Sequence, residues 1–536
     1  MDTKLALTKL QATIIAVVII VAALVVIYYA TLPSHIPPTQ VEVRIPRSDS
    51  VVTLDPAKCY VVPSIECMTP VYERLINYND NGTGFEPVLA KSWEISPDGM
   101  TVTFYLRENV KFHDGTPFNA TAVKFTFERI LALQGGPAWM YSAIDKIEVV
   151  DTYTVKFVLK YPDVTFIHAM AAVWGPLIVS PSYVLSHATE EDPWAEEWMN
   201  EHMCGTGPYM VDEWVKGQYI TFVRFPDYWR GWEGKHVDKI YMPIIREWAT
   251  RRMMLEAGDL DMIFPYDVNI DDIDVLKENP DIVVEEHKPT LEVVYMVLNV
   301  QYGPCADIRV RKALNYLLDY DAVIEAYGGY AVQMQGPLPR KCPGHDDELF
   351  MYHYDPEEAR RLLEEAGYSD GLEVTLAYLS DVEEERKIAE IFQTSASAGG
   401  VTVNLLGLTW PALNELIGAP PEQRPDIALY IWPPDYVDPL CMLVPQYKTG
   451  EWFAYGYSNP QLDNILEQIP KTVDPNERLE LYKEAQRIIV EDVPRIWIIE
   501  HEFAVVRRSW LKGYHYNILY SFYNCDWYSL YIEGRT

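Results

Sequence analysis

The sequence predicts an α/β protein of more than one lobe, on three observations. Strand-like runs alternate with helical ones along most of the chain, the pattern of sheets covered by helices. At 536 residues the chain is too long for one hydrophobic core, so about three domains are expected. Its 49% hydrophobic and 13% aromatic content can fill those cores and argues against disorder.

Ile14 to Ala30 is an unbroken apolar run preceded by Lys4 and Lys9. With Ala12 and Thr13 it approaches the roughly 20 residues that span a bilayer, and the leading lysines keep the N-terminus inside. The rest of the chain then lies outside the cell. Tyr28 and Tyr29 before Ala30 make a poor cleavage site for a signal peptide, and no lipid-accepting cysteine follows the run. An uncleaved signal anchor over residues 1–30 is therefore expected, and 31–40, with Pro33, Pro37 and Pro38, reads as a short stiff tether.

The most structured stretch runs from Phe85 to Arg129. Pro97-Asp98-Gly99 is a turn, since proline presets φ at the first corner and glycine supplies the positive φ. Thr101 to Leu106 alternates, with Val102, Phe104 and Leu106 on one face, and predicts a half-buried strand. A second corner stands at His113-Asp114-Gly115. Thr121 can cap a helix in which Val123, Phe127 and Ile130 recur at helical spacing and Lys124 and Glu128 can pair.

Further on, Tyr219 to Val223, Val293 to Val300, Glu373 to Leu379, Val401 to Leu405, Ile427 to Tyr430 and Arg495 to Ile499 read as strands. Helices are expected over Arg251 to Gly258, Asp307 to Leu318, Pro356 to Ala366, Glu383 to Ala396, Asn459 to Gln468 and Glu477 to Val490.

A net charge of −34 disfavours nucleic acid and anionic lipid surfaces, which attract basic patches. The seven cysteines are odd in number and form no CxxC; outside the cell, Cys59 with Cys67 or Cys305 with Cys342 could pair, though connectivity is open. No metal site or cofactor is expected. Asn81-Gly82-Thr83 and Asn119-Ala120-Thr121 are glycosylation sequons that must be exposed to be used. Asp267 to Glu278 mimics calcium-loop spacing, but Asp272 stands where that loop needs glycine, so a solvated helix start is the better account. His345-Asp346-Asp347-Glu348 reads as an exposed loop. Gly205-Thr206-Gly207 is no dinucleotide fingerprint, and GxSxG, HExxH and GK[ST] are absent, so an enzyme is only a weak alternative.

Several landmarks fall in one order: Thr53-Leu54-Asp55-Pro56, Val71-Tyr72-Glu73-Arg74-Leu75, the 85–129 stretch, Gly205-Thr206-Gly207-Pro208-Tyr209, Pro226-Asp227-Tyr228-Trp229-Arg230-Gly231, Ile308-Arg309-Val310-Arg311-Lys312-Ala313, Tyr354-Asp355-Pro356-Glu357, Glu365-Ala366-Gly367-Tyr368, and Asp474-Pro475 through Asp492-Val493-Pro494. Together they resemble extracellular solute-binding protein family 5, the large binding proteins that feed peptide, dipeptide and nickel ABC importers, over roughly residues 41 to 510. The resemblance implies a bilobal periplasmic-binding-protein-like fold (type II, cluster C) with an extra domain inserted in the first lobe. Carried onto this chain, the first lobe takes 41–76, 204–300 and 500–536, the insert 77–203 and the second lobe 301–499, with a hinge near 300 and 500.

Trp432-Pro433-Pro434-Asp435-Tyr436-Val437-Asp438-Pro439 follows a buried strand. In peptide-binding members the Asp of a similar loop pairs with the ligand's α-ammonium, and Asp435 falls on it; a turn aspartate bonding its own backbone is the competing reading. Asp438-Pro439 shapes the turn. Trp432, Tyr436 and Trp410 are candidate stacking platforms, although aromatic residues at this density are more often core. With the anchor read from the apolar run, the resemblance implies a monomeric receptor outside the cell that binds an extended oligopeptide and hands it to an ABC permease. An oligosaccharide receptor on the same scaffold is the alternative; nickel and haem binders share the fold.

Overall fold

The computed structural model describes residues 41–380 and 382–535. The expected anchor and tether at 1–40 lie outside the described residues, among which no helix is long and apolar enough to cross a membrane.

Three larger sheets organise the described chain. In the first, Lys239–Pro243 lies between Glu42–Arg44, in parallel, and Tyr219–Arg224, antiparallel, with Tyr209–Val215 at the edge. The second is the antiparallel order Ala90–Ile95, Thr101–Leu106, Thr154–Leu159, Ile144–Asp151. Its alternation is the one the sequence predicts, with Val102, Phe104 and Leu106 buried. Helix Ala120–Leu133 buries Val123, Phe127 and Ile130, and Lys124 pairs with Glu128 at 3.5 Å. Its cap is Asn119 rather than Thr121: the Asn119 side chain accepts from the Thr121 and Ala122 amides. Either residue type satisfies the orphan amides of a first turn, and the one a residue or two earlier took the role.

The third sheet has seven strands: Met262–Ile263, Arg495–Arg508, Ile282–Leu298, Ile427–Trp432, Leu372–Leu379 and Val401–Leu408 in order, with Ala331–Gln333 also on Arg495–Arg508. Leu372–Leu379 and Val401–Leu408 run parallel through helix Glu383–Ser397, a crossover unit. The two long strands extend beyond the runs legible in sequence because they keep pairing past a polar middle, Glu285 to Lys288 on one and His501 with Glu502 on the other, so that Ile282 to Glu285 meets Arg508 to Val505. Their register slips between Glu285 and Lys288, Pro289 and Val293, and Val294 and Tyr295.

The helices begin and end where side chains allow. Asp307, Asp355, Asn459 and Asp474 each accept amide hydrogens at a helix start, and Gly258 closes Trp248–Ala257 at φ +83°. The Asp267 region forms short helical turns opened by Asn269, whose side chain accepts from the Asp271 amide. The 345–348 segment is not wholly exposed: Asp346 is buried beside Arg487 at 3.0 Å. All seven cysteines are buried free thiols, so neither expected pair forms. Asn81 is exposed, whereas Asn119 is half-buried at its cap.

The landmark residues prove to be partners of one another. Arg129, from the 85–129 stretch, grips Asp55 with two bonds of 2.5 and 2.6 Å, both side chains fully buried. Glu73 accepts from Thr206 at 2.8 Å, Tyr228 at 2.9 Å and the Trp229 indole, which joins three further landmarks at one carboxylate. Gly205 and Gly207 lie against the backbone of Pro70 and Val71, where a Cβ would stand 2.2 Å and 2.6 Å from carbonyl oxygens. Close approach, not phosphate binding, explains that pair of glycines.

Candidate functional site

Ile427–Trp432 pairs with Ile282–Leu298 along its length, and the chain leaves the sheet at Pro433-Pro434. Two prolines cannot continue a ladder, so the loop turns away and presents Asp435. Asp438 then accepts from the Leu440 amide at 2.9 Å and opens helix Pro439–Tyr447, as its turn-shaping assignment requires.

The Asp435 carboxylate is 6% exposed. Tyr60, 375 positions away in sequence, donates to it at 2.6 Å; the Trp174 indole also reaches it, and the Cys441 thiol lies 3.8 Å off. Its backbone is fixed too: the Val173 amide donates to the Asp435 carbonyl at 2.9 Å. The side chain therefore does not bond its own turn. Burial pushes the Asp435 carboxyl up to about 6, opposed by hydrogen bonds from Tyr60, Trp174 and Cys441. Among the described residues no Lys, Arg or His forms an ion pair with it.

Rings surround this carboxylate. Tyr60 and Trp174 stand 5.0 Å apart between centroids, Trp174 stacks on Tyr523 at 6.2 Å, and Trp139 donates to the Tyr60 hydroxyl at 3.3 Å. Tyr436 is buried and lies 6.5 Å from Trp139. Tyr436 follows Asp435 in the chain, and its ring faces Trp139 and His168. Trp432 sits at the strand end, edge-on to Phe453 at 4.7 Å, its indole nitrogen buried without a partner. Trp410 opens helix Trp410–Gly418, is 46% exposed and meets Tyr430 edge-on at 6.4 Å rather than Asp435.

Tyr60, Trp139, Trp174, Cys441 and Tyr523 were not singled out in the sequence. Tyr60 follows the Leu54-Asp55-Pro56 landmark closely, which is a weak signal; Cys441 stands six positions after Asp435 in the helix that the loop opens, and Trp139, Trp174 and Tyr523 come from distant segments with no signal.

A cavity of about 420 Å³ lies away from Asp435, walled by Glu73, Arg74, Asn77, Trp229, Arg230 and Asn524 among others. Its central carboxylate, Glu73, is already saturated by Thr206, Tyr228 and Trp229, so it serves the architecture. Arg74 likewise gives its hydrogens to the carbonyls of Ala172 and Val173, the segment that touches Asp435.

Such a constellation offers a desolvated negative charge held by neutral donors inside an aromatic surround. It suits a positively charged group that leaves water with its hydration replaced.

Comparison with known proteins gives the family. Residues 84–454 match the family model described as bacterial extracellular solute-binding proteins, family 5 Middle. The chain is 30% identical over 474 residues to the probable D,D-dipeptide-binding periplasmic protein DdpA of Escherichia coli K12, covering 87% of this chain and 89% of that protein. It is 31% identical over 478 residues to heme-binding protein A of Haemophilus influenzae, covering 83% and 84%. Among solved structures, the periplasmic binding protein DppA of Helicobacter pylori in complex with the peptide STSA superposes with a TM-score of 0.78 at 26% identity, over 92% of this chain and 99% of that one. The seven-stranded sheet, its crossover helices and the flanking sheets are therefore a bilobal α/β periplasmic-binding-protein fold. The chain belongs to the bacterial extracellular solute-binding proteins of family 5.

Proposed function

We propose that this protein is the substrate-binding receptor of an ABC importer, which holds an extended oligopeptide between two hinged lobes and delivers it to a membrane permease. One observation carries the reading: Asp435 is a buried carboxylate with neutral donors but no cationic partner among the described residues, the counter-charge an α-ammonium needs. Asp435 pairs with the ammonium, while Tyr436 and Trp432 flank the first residues of the ligand. Trp410, more exposed, contacts a longer ligand's far end. Relatives named for dipeptide and glutathione binding support a peptide ligand.

Closure involves the two long strands, with the hinge near residues 300 and 500; the register slip between Pro289 and Val293, opposite Glu502 and Glu500, supports the crossing near 500. The Ala90–Ile95 sheet with helix Ala120–Leu133 supports an inserted domain over 77–203, with the first lobe from 41–76, 204–300 and 500–536 and the second from 301–499. The apolar run from Ile14 to Ala30 supports a cell-membrane anchor with a monomeric body outside.

Titration calorimetry of the purified full-length chain with Ala-Ala-Ala and its N-acetylated form tests the reading. The free amine binds and the acetylated form does not, and Asp435→Ala abolishes the difference. Equal binding of both peptides sinks it. The rings of Tyr60, Trp139 and Trp174 favour a second reading, an oligosaccharide ligand stacked on them. In that case Asp435→Ala scarcely alters affinity for a neutral sugar.

A further inference from the structure

The cavity beside Glu73 holds a charge that the fold does not neutralise. Its walls come from 69–88, 208, 228–230 and 515–529, and none from 301–499, the part of the chain that carries Asp435. It is therefore a different place from the Asp435 site.

Arg74 is 5% exposed and stands in the cavity wall. Of its five N–H donors it uses two, Nε to the Ala172 carbonyl at 2.9 Å and Nη2 to the Val173 carbonyl. The Tyr520 ring covers one face of the guanidinium at 5.3 Å, which leaves the in-plane Nη1 donors without a partner among the described residues. No Asp or Glu among those residues forms an ion pair with Arg74. A guanidinium taken out of water calls for an anion. Glu73, next to it in the chain, does not supply one: its oxygens accept from Thr206, Tyr228 and Trp229, and burial raises its carboxyl to about 7, so it is only partly charged at neutral pH.

The opposite need stands in the same wall. The Asn77 amide oxygen is buried with no donor. Asp80, Glu86 and Asp526 also line the cavity; they are exposed, and none forms an ion pair among the described residues. Arg230 and His515 share that exposed rim, so three acids face one permanent cation there. Burial thus grades the cavity from a cation inside to acids outside. A simple anion meets the rim acids and a simple cation meets Arg74, whereas a molecule with both charges answers both ends.

We propose that this cavity is a second binding site, for a small zwitterion of the α-amino acid class, with its carboxylate on Arg74 Nη1 and its ammonium between the Asn77 amide oxygen and the rim acids. A volume of about 420 Å³ lies within the ~300–1,000 Å³ of small-molecule sites. The site does not depend on what Asp435 binds.

Calorimetry of the full-length chain carrying Asp435→Ala, so that the Asp435 carboxylate contributes nothing, tests it with glycine, L-alanine, L-serine and L-leucine. At least one is expected to bind. Its N-acetyl form, which lacks the ammonium, and its methyl ester, which lacks the carboxylate, each bind ~10-fold or more weakly. Arg74→Gln lowers the affinity by ~10-fold or more. Because Arg74 also holds two carbonyls of the fold, Asn77→Leu decides independently: its amide oxygen bonds nothing in the protein, so the melting temperature is unchanged while the amino acid binds ~3-fold or more weakly. If none of the four amino acids binds, if an end-blocked form binds as tightly as the free one, or if Asn77→Leu leaves the affinity unchanged, the assignment is overturned, and the peptide reading of Asp435 is untouched by any of these results.

Discussion

Tyr60 donates a 2.6 Å hydrogen bond to the carboxylate of Asp435 across 375 residues of sequence, and Trp139 in turn donates to the Tyr60 hydroxyl. Three segments thereby meet at one charge. Removing the phenol with Tyr60→Phe deprives the carboxylate of its shortest neutral donor. The Asp435 carboxyl is expected to rise further, and affinity for Ala-Ala-Ala at pH 7 to fall by ~0.5–1.5 kcal/mol, read by calorimetry.

Binding of an amine-terminated peptide should depend on pH through Asp435. The free carboxyl protonates near pH 6, and only the ionised form attracts an ammonium, so affinity is high above that pH and declines below it. The limiting slope is about tenfold per pH unit. Asp435→Asn removes the step and costs ~2–5 kcal/mol of binding at pH 7.5. A pH profile that is flat in the unaltered protein contradicts this assignment.

The Asp55–Arg129 pair is buried, bidentate and hydrogen-bonded, with Arg129 also donating to the Trp194 carbonyl. Asp55→Ala leaves a guanidinium stranded in the core and should cost ~3–5 kcal/mol. Urea unfolding measures this, with the midpoint displaced and ligand contacts untouched.

Glu73 makes a testable contribution to acid stability. Burial pushes its carboxyl up to about 7 from 4.5, so the folded chain retains a proton that the unfolded chain releases across that interval. Stability from this group is therefore greatest below pH 4.5 and declines as pH rises toward 7. Glu73→Gln keeps the acceptor for Tyr228 and flattens the trend in melting temperature between pH 5 and 7.

Gly205 approaches the Val71 carbonyl so closely that a methyl group has no room. Gly205→Ala should destabilise by ~1–3 kcal/mol or more, since the obstacle is backbone rather than a movable side chain. Gly115→Ala, with open space but φ +81°, is the comparison: it suffers conformational strain without a clash.

Much of the fold was legible because local rules and global structure agree. The alternation of Thr101 to Leu106 and the helical spacing of Val123, Phe127 and Ile130 are each decided by which side chains must leave water. Boundaries were less legible: Asn119 and Thr121 can both cap, and the long strands extend past their apolar runs because they go on pairing with each other beyond a polar middle. The 345–348 segment is the expected loop with Asp347 and Glu348 exposed, but Asp346 is buried, since a charged run looks solvated until a partner, here Arg487, covers it.

By itself the sequence determined the alternation of strands and helices, the family and the one aspartate worth watching, since periodicity, turn chemistry and ordered landmarks are written along the chain. Only the tertiary structure decided that Asp435 is buried and bonded by Tyr60 and Trp174, and that all seven cysteines are thiols. The reason is physical: a carboxylate's proton affinity and its choice of partner depend on the water excluded and the donors brought close, and those arrive from segments hundreds of residues away.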